Sequence, residues 1–567
     1  AQGVVEAKPA GETQWQAVKL NETYCPGDTI RTDRKSRADI ALYNHPILRL
    51  DQNSTVTLGG MKDEKTSLVD MLSGAALFFS RVTRNLEVRT ATVNAGVEGT
   101  EFFIRVEEGK TDLTVFEGKV LASNAAGGLP VTTGQSAVAE AGKAPAYRVV
   151  VRPRDAVRWA LYYPPVIDPR PADLKEEGND PRFFTQRASQ SLNVGRGDEA
   201  GTDIAKALAL DPNNSDAFAL QSIVAVTQNE KGKALDLARK AVEAGPESAT
   251  ARIALSYAQQ AGFDLPGALK SVEEAVKLGP QNALAWARLA ELRQSFGRLD
   301  EALDAAKKAE AANPALSRTQ TVLGFSYLLR VETKKAKAAF EKAITQDDAD
   351  PLPRLGLGLA KIREGDLEEG RREIEIATSL DPDNSLIRSY LGKAYYEEKR
   401  DKLSAGQFDM AKSLDPMDPT PYFYDAIQKQ TVNRPVEALR DMQKAIELND
   451  NRAVYRSRLL LDGDLAARSA SLGRIYNDLG FQQIALVEGW KSVNYDPSNY
   501  SAHRFLADSY AARPRHEIAR VSELLQSQLL QPINITPIQP RLAQSNLLAV
   551  SAGGPSDLSF NEFNHLF

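Results

Sequence analysis

One cysteine, Cys25, stands in 567 residues. No intrachain disulfide can form, so stability must come from packing. The count does not choose a compartment. No histidine lies near Cys25 in sequence, and a semi-buried structural thiol is expected there rather than a nucleophile. Histidine is also scarce: His45, His503, His516 and His565 are scattered, with no H-E-x-x-H and no Cys/His pairing, which argues against a zinc site. No run of 18 apolar residues occurs, so no helix is long enough to cross a membrane. Nor is there an excess of one charge. Lys and Arg number 70 against 75 Asp and Glu, and a net charge of −5 gives no electrostatic footprint for nucleic acid. "EEGKTD" (107–112) mimics the end of a phosphate-binding loop, but Ile104 stands where that loop needs its first glycine. The acidic stretches "LDPDNS" and "DDAD" lack the glycine and terminal glutamate of a calcium loop, and are expected to be helix starts and turns. The expectation is a protein with no catalytic residues, no metal and no cofactor.

What is present is length and periodicity. A chain this long exceeds one core and predicts three to four domains. Six phrases recur, from "LALDPNNSDAF" to "AKSLDPMDPTPY". Their prolines, Pro212, Pro246, Pro280, Pro314, Pro382 and Pro416, are spaced by 34 or 68 residues, and Asp348 and Asp450 fill the same register. Taking Trp286 as the fourth position of a unit, Gly324, Gly358 and Gly392 fall at the eighth. Ala234, Ala268, Ala302, Ala336 and Ala438 fall at the twentieth, and Ala241 to Ala445 at the twenty-seventh. Small residues at fixed positions let two helices cross closely, and the proline ends the second helix. A period of 34 with this ending resembles the tetratricopeptide repeat, a helix-turn-helix unit that stacks into a superhelix with a concave groove. The pattern predicts repeats 1–8 over 181–452, an insert at 453–465 and repeats 9–10 over 466–533.

In that family, positions two, five, nine and twelve face the groove. This implies a candidate partner strip of Phe325, Leu328, Leu352, Leu355 and Leu359, joined by Tyr422 and Phe423; ordinary inter-repeat packing is the alternative. The insert, with Tyr455, Arg456, Arg458, Leu459 and Leu460, is basic and apolar together. It reads as a docking element or as a tolerated surface insertion.

Residues 1–150 lack helical period. "ADIALYN", "ILRLD", "STVTLGG" and "EFFIRVEEGKTDLTVFEGKVLAS" alternate apolar and polar residues as strands do, with hairpin turns expected at Glu108-Gly109-Lys110 and Glu117-Gly118-Lys119. Gly27-Asp28, Ile30, Thr32, Ser36, Ala38, Ala95-Gly96, Gly99-Thr100, Phe102, Val115, Glu117, Gly118 and Val120 match the pattern of a FecR-type domain, which this region resembles. The resemblance implies a periplasmic β-rich domain. The transmembrane helix and anti-sigma segment of FecR signalling proteins have no counterpart here, so a signalling role does not carry over. Trp15, Tyr43 and Trp159 are available for stacking on sugars, with core packing as the plainer use. Between the parts, 151–180 holds "AVRWALYY", room for one short helix, and a proline-rich stretch that reads as a clamp or a hinge.

The expected architecture is multidomain: an N-terminal all-β FecR-like domain, then an α-helical tetratricopeptide solenoid. The start "AQGVVEAKPAG" fits the end left by signal peptidase, with an arbitrary boundary as the alternative. The tail 534–567 is extended, and "LSFNEFNHLF" alternates like the approach to a barrel strand. It resembles barrel-linked FecR/tetratricopeptide proteins of the outer membrane, which implies a barrel beyond Phe567. Phe560, Phe563 and Phe567 are candidate tail contacts. The functional expectation is a non-enzymatic periplasmic scaffold of an outer-membrane-associated complex, in polymer export or envelope assembly, of a Gram-negative bacterium. Its partners would be other envelope proteins, with peptidoglycan or polysaccharide docking as one alternative. The other alternative is self-assembly with copies of itself, tail in groove.

Overall fold

The structure is a computed structural model. It describes the chain except residues 44, 64–65, 82, 151–152, 168–179, 456–460, 512, 514–515, 531–546, 552–553 and 559–567. Two compact units emerge: Ala1–Leu414 with Ala453–Ser457, and Asp415–Arg452 with Arg458–Phe567.

The first unit opens with strands β1 (Val5–Lys8), β2 (Gln16–Ala17), β3 (Thr29–Thr32), β4 (Ala38–Ala41), β5 (Ile47–Leu50), β6 (Thr55–Met61), β7 (Ser67–Phe79), β8 (Thr83–Arg89), β9 (Asn94–Glu107), β10 (Lys110–Asn124), β11 (Gly127–Thr132), β12 (Ser136–Glu140) and β13 (Ala146–Arg148). They form one sheet in the order β13-β12-β10-β9-β8-β7-β6-β3-β1-β2, with β11 on β10 and β5 between β4 and β7. All pairings are antiparallel except β7 with β8. Side chains alternate across a strand, and this sheet buries both faces at its middle. Phe78, Phe102 and Ile104 enter one apolar cluster with Leu48 and Val115. Their neighbours Leu77, Phe79 and Phe103 point the other way, into a second cluster with Phe116, Val157 and Trp159. Strands covered on both sides read as unbroken apolar runs rather than as alternation, and "AALFF" (75–79) is such a run.

One expected hairpin is present and one is not. Gly109 takes φ 70° in the β9–β10 turn. At Glu117-Gly118-Lys119 the strand does not turn back: β10 runs on to Asn124, and its register on β9 shifts either side of Glu117. Gly118, at φ 81°, lets an extra residue into the strand, so the predicted second turn is a β-bulge.

After a short 3-10 helix (Pro153–Ala160) the repeats begin. The first unit holds α1 (Pro181–Asn193), α2 (Gly197–Leu210), α3 (Ser215–Thr227), α4 (Lys231–Ala244), α5 (Ala249–Ala261), α6 (Leu265–Leu278), α7 (Ala283–Ser295), α8 (Leu299–Ala312), α9 (Ser317–Leu329), α10 (Thr333–Gln346), α11 (Pro351–Arg363), α12 (Leu367–Leu380), α13 (Ser385–Glu397) and α14 (Asp401–Leu414). The marker prolines sit two residues before the caps. Asn214, Ser248, Asn282 and Asn384 each accept a backbone N–H from three residues on, which satisfies a donor the helix start leaves open. Asp350 of "DDAD" caps α11 in the same role. Glycine at position eight is dictated by contact: a methyl group at Gly324 would lie 2.5 Å from the Phe340 ring, and at Gly392 2.7 Å from Phe408.

The second unit continues with α15 (Pro419–Thr431), α16 (Pro435–Glu447), α17 (Arg452–Tyr455), α18 (Leu461–Asp478), α19 (Gln482–Tyr495), α20 (Tyr500–Ala511) and α21 (Glu517–Leu529), where only α17 is shared with the first unit. The last residues of the insert thus lengthen α18. A hairpin of β14 (Leu547–Ser551) and β15 (Gly554–Leu558) lies in the tail.

Candidate functional site

Within the first unit the β part is fastened to the repeats by buried charge. Glu101 on β9 and Arg388 on α13 are 0% exposed and joined by two bonds, Nη1 to Oε2 at 2.8 Å and Nη2 to Oε1 at 2.7 Å. Arg388 also donates Nε–H to the Pro382 carbonyl (2.7 Å) and Nη1–H to Gln407 Oε1 (3.0 Å). Gln407 in turn donates to Glu117 (3.0 Å), whose other partner is Arg81. Burial alone would raise the Glu101 carboxyl, but the guanidiniums of Arg388 and Arg81 hold it below the usual carboxylate range. A buried pair of this kind adds little net stability by itself, yet losing one partner strands the other charge. It therefore fixes where the sheet docks.

Three further arginines complete the seam. Arg49, buried in β5, donates to the Ser379 carbonyl at the end of α12 (2.7 Å). Arg196, between α1 and α2, pairs with Asp51. Arg37 donates to the carbonyls of Trp159 (2.9 Å) and Asn193 (3.2 Å). Burial, with Arg49 and Arg196 nearby, pulls the Arg37 guanidinium down to about 9. Ile376 of α12 packs on the cluster of Leu77, Phe79, Phe103 and Phe116, so an apolar patch stands among these polar contacts.

The segment after the 3-10 helix, Leu161–Ile167, runs along first helices of the repeats. Leu161, Tyr163, Val166 and Ile167 join the core cluster of Ala188, Leu192 and Leu220. Tyr162 lies in the field of Asp350, Arg318, Asp347 and Tyr257, and burial, reinforced by Asp350, raises its phenol. Tyr257 and Arg318 hold positions nine and two of their repeats, which in this kind of unit face the groove. Asp381, which accepts the Tyr162 backbone N–H, is pushed up to about 7 by burial, and Asp350 to about 6. Gly195 and Gly197 let this segment come close, since a methyl group on them would meet the Trp159 carbonyl oxygen at 2.2 Å and the Tyr163 hydroxyl at 2.6 Å. Of the two readings of 151–180, clamp and hinge, the packing of Leu161–Ile167 is that of a clamp.

The residues expected to form a groove strip lie between helices. Leu355 is 2% exposed, with Leu352 and Leu359 against the same cluster, and Phe325 packs edge-on to Phe340, 5.0 Å between centroids, beside Leu328. Tyr422 is half-buried, and Phe423 packs in the cluster around Met442, with Arg468 over its ring. Of the insert residues, Tyr455 meets Phe263 edge-on at 6.2 Å, next to a bond from Gln260 to the Val454 carbonyl (2.7 Å). Arg456, Arg458, Leu459 and Leu460, and the tail residues Phe560, Phe563 and Phe567, lie outside the described residues. Trp159 is 7% exposed, while Trp15 lies under Arg31 at 4.0 Å and Tyr43 is open to solvent. Cys25 is exposed rather than semi-buried, in a turn before β3 where its backbone N–H is bonded to Asp28 (2.7 Å). Sequence reading missed Arg388, Glu101, Arg81 and Arg49. The fourth position of the repeat did not single out Arg388, since Arg252 and Arg354 stand there as well.

Residues 28–121 match the FecR protein family, and residues 253–317 and 355–419 match the tetratricopeptide repeat family. The chain carries a FecR domain and tetratricopeptide repeats. No curated protein matches it at the sequence level. Among solved structures, the APC/C hetero-tetramer Cut9–Hcn1 is similar at 16% identity over 64% of this chain and 76% of that one, with a TM-score of 0.49. A putative anti-sigma factor from Parabacteroides distasonis is similar at 16% identity over 24% of this chain and 66% of that one (TM-score 0.22). A thermophilic tetratricopeptide protein of Thermus thermophilus, TTC0263, is similar at 23% identity over 32% and 99% (TM-score 0.29). Tetratricopeptide repeats are protein-binding units, so the helical part is a scaffold for protein–protein interaction.

Proposed function

We propose that this protein is a non-enzymatic scaffold of the bacterial cell envelope, placed in the periplasm at the outer membrane, where it holds other envelope proteins together. The observation that carries the reading is the fastening of the FecR domain to the repeats through Glu101 and Arg388. A sheet tied to repeats in this way presents fixed surfaces, as a scaffold requires, and leaves the groove around Tyr257 and Arg318 to the chain's own Leu161–Ile167. The location rests on the likeness of residues 28–121 to FecR proteins. Fractionating the native cell tests it. Recovery with periplasmic and outer-membrane fractions, cross-linked to other envelope proteins, is expected. Recovery with the cytoplasm would overturn the location, and recovery without any cross-linked protein would overturn the scaffold.

A further inference from the structure

The second helix of each repeat has an outer face made by positions nineteen, twenty-two and twenty-six. In repeat two these are Lys233, Asp236 and Lys240, and in repeat four Glu301, Asp304 and Lys308, an ordinary wetted face. In repeats six and seven the twenty-sixth residues are Ile376 and Met410. The sheet and the 3-10 helix after it cover this face, with Ile376 against their apolar cluster and Arg154 of that helix on the Met410 sulfur. In repeat ten the same positions are Ile518, Val521 and Leu525, continued by Leu529, and they are 89, 54, 56 and 70% exposed. The charged residues of repeats two and four show that this face is not where successive repeats stack. Its apolar character in α21 is therefore not explained by the end of the solenoid.

The opposite side of α21 is fixed. Glu523 is bonded to His503 of α20, and Ser527 is 1% exposed. The four apolar residues follow one another at intervals of three, four and four, the spacing with which one helix packs on another. The side chains beside the stripe are Ser522, Gln526, Gln528 and Glu517, almost free of charge. Ile484 and Val487 of α19, 46 and 42% exposed, repeat the pattern one unit earlier at positions nineteen and twenty-two. The four α21 side chains leave on the order of 500 Å² of apolar surface in water, the size of a patch that marks an interaction site and the larger part of the half-interface of a stable dimer.

We propose that this face joins two copies of the chain, with the α21 helices packed antiparallel about a two-fold axis between Val521 and Leu525. Such pairing sets Ile518 against Leu529 of the other copy and brings no like charges together, as an isologous contact requires. Light scattering and sedimentation of the full chain test this. A dimer is expected at micromolar concentration, and Val521→Glu with Leu525→Glu should raise its dissociation constant at least 100-fold while the helical content read by circular dichroism is unchanged. In a Cys25→Ser background, Val521→Cys and Leu525→Cys chains should form a disulfide-linked dimer under mild oxidation when the two are mixed. Ile518→Cys alone should not, but should link to Leu529→Cys when the two chains are mixed. A wild-type monomer overturns the proposal, whether the stripe is then covered by the chain's own later residues, by lipid vesicles or by another protein. A dimer indifferent to the glutamates overturns it as well.

Discussion

Repeats six and seven and repeat ten each place an apolar side chain at position twenty-six, yet only the former have it covered within the described residues. Around Ile376 and Met410 the sheet supplies Phe103 and Phe116 and the 3-10 helix supplies Arg154, and the interface is closed by buried ion pairs. Around Ile518 and Leu525 there is solvent. The repeat consensus fixes the small residues that let helices cross and says nothing of the outer face. That face can therefore be charged, sheet-binding or bare without disturbing the solenoid. In this protein the distinguishing information sits at the positions the consensus leaves free.

The largest effect should come from breaking the covered side. Arg388→Met leaves Glu101 buried without a partner and should cost about 3–5 kcal/mol in chemical denaturation. Adding Glu101→Met should return most of it; no recovery in the double variant would mean the sheet is not held at this pair. Asp381 comes next. Its folded pKa of about 7 is above the ordinary carboxylate value, so its contribution is full below pH ~4 and is lost as pH rises through 7. Asp381→Asn should be neutral near pH 4 and more stable than the parent at pH 8 by roughly 2–4 kcal/mol, read from melts across that range. An unchanged pH profile would remove Asp381 from the seam. A third, smaller loss is expected where helices cross: Gly324→Val must displace Phe340 and should cost roughly 1–3 kcal/mol. Gly232→Ala, in α4 with nothing within 4 Å of the added methyl group, should be neutral or stabilising. The smallest concerns the surface, where Arg31→Ala removes the cation over the half-buried Trp15 and should cost about 0.5–1 kcal/mol.

Much of this was legible beforehand because it is local. The 34-residue register, the caps two residues after each proline and the crossing glycines are all set by neighbours in sequence. So was the FecR pattern. The bulge at Gly118 was not, because a glycine at positive φ serves a turn and a bulge equally, and only the pairing partner decides between them. Strand β7 is not legible in the sequence, since "AALFF" does not alternate, and its two covered faces become a reason only once α12 and the 3-10 helix are seen against it. The docking of the sheet was out of reach for a plainer reason: Glu101 and Arg388 are 287 residues apart, and nothing local links them. Arg388 did not stand out at its place in the repeat either, because Arg252 and Arg354 hold the same position without meeting the sheet in this way.

The span of the docking has a mechanical meaning. Asp51 holds Arg196 in the first repeat, while Glu101 holds Arg388 in the seventh. A solenoid is a spring whose pitch is set only by contacts between neighbours, and small errors of angle add along it. A sheet tied to two coils six repeats apart acts as a strut across the spring. Under tension the solenoid should not stretch gradually between those points. It should resist until the strut detaches and then extend in one step, so its compliance is governed by a handful of arginines rather than by the number of repeats.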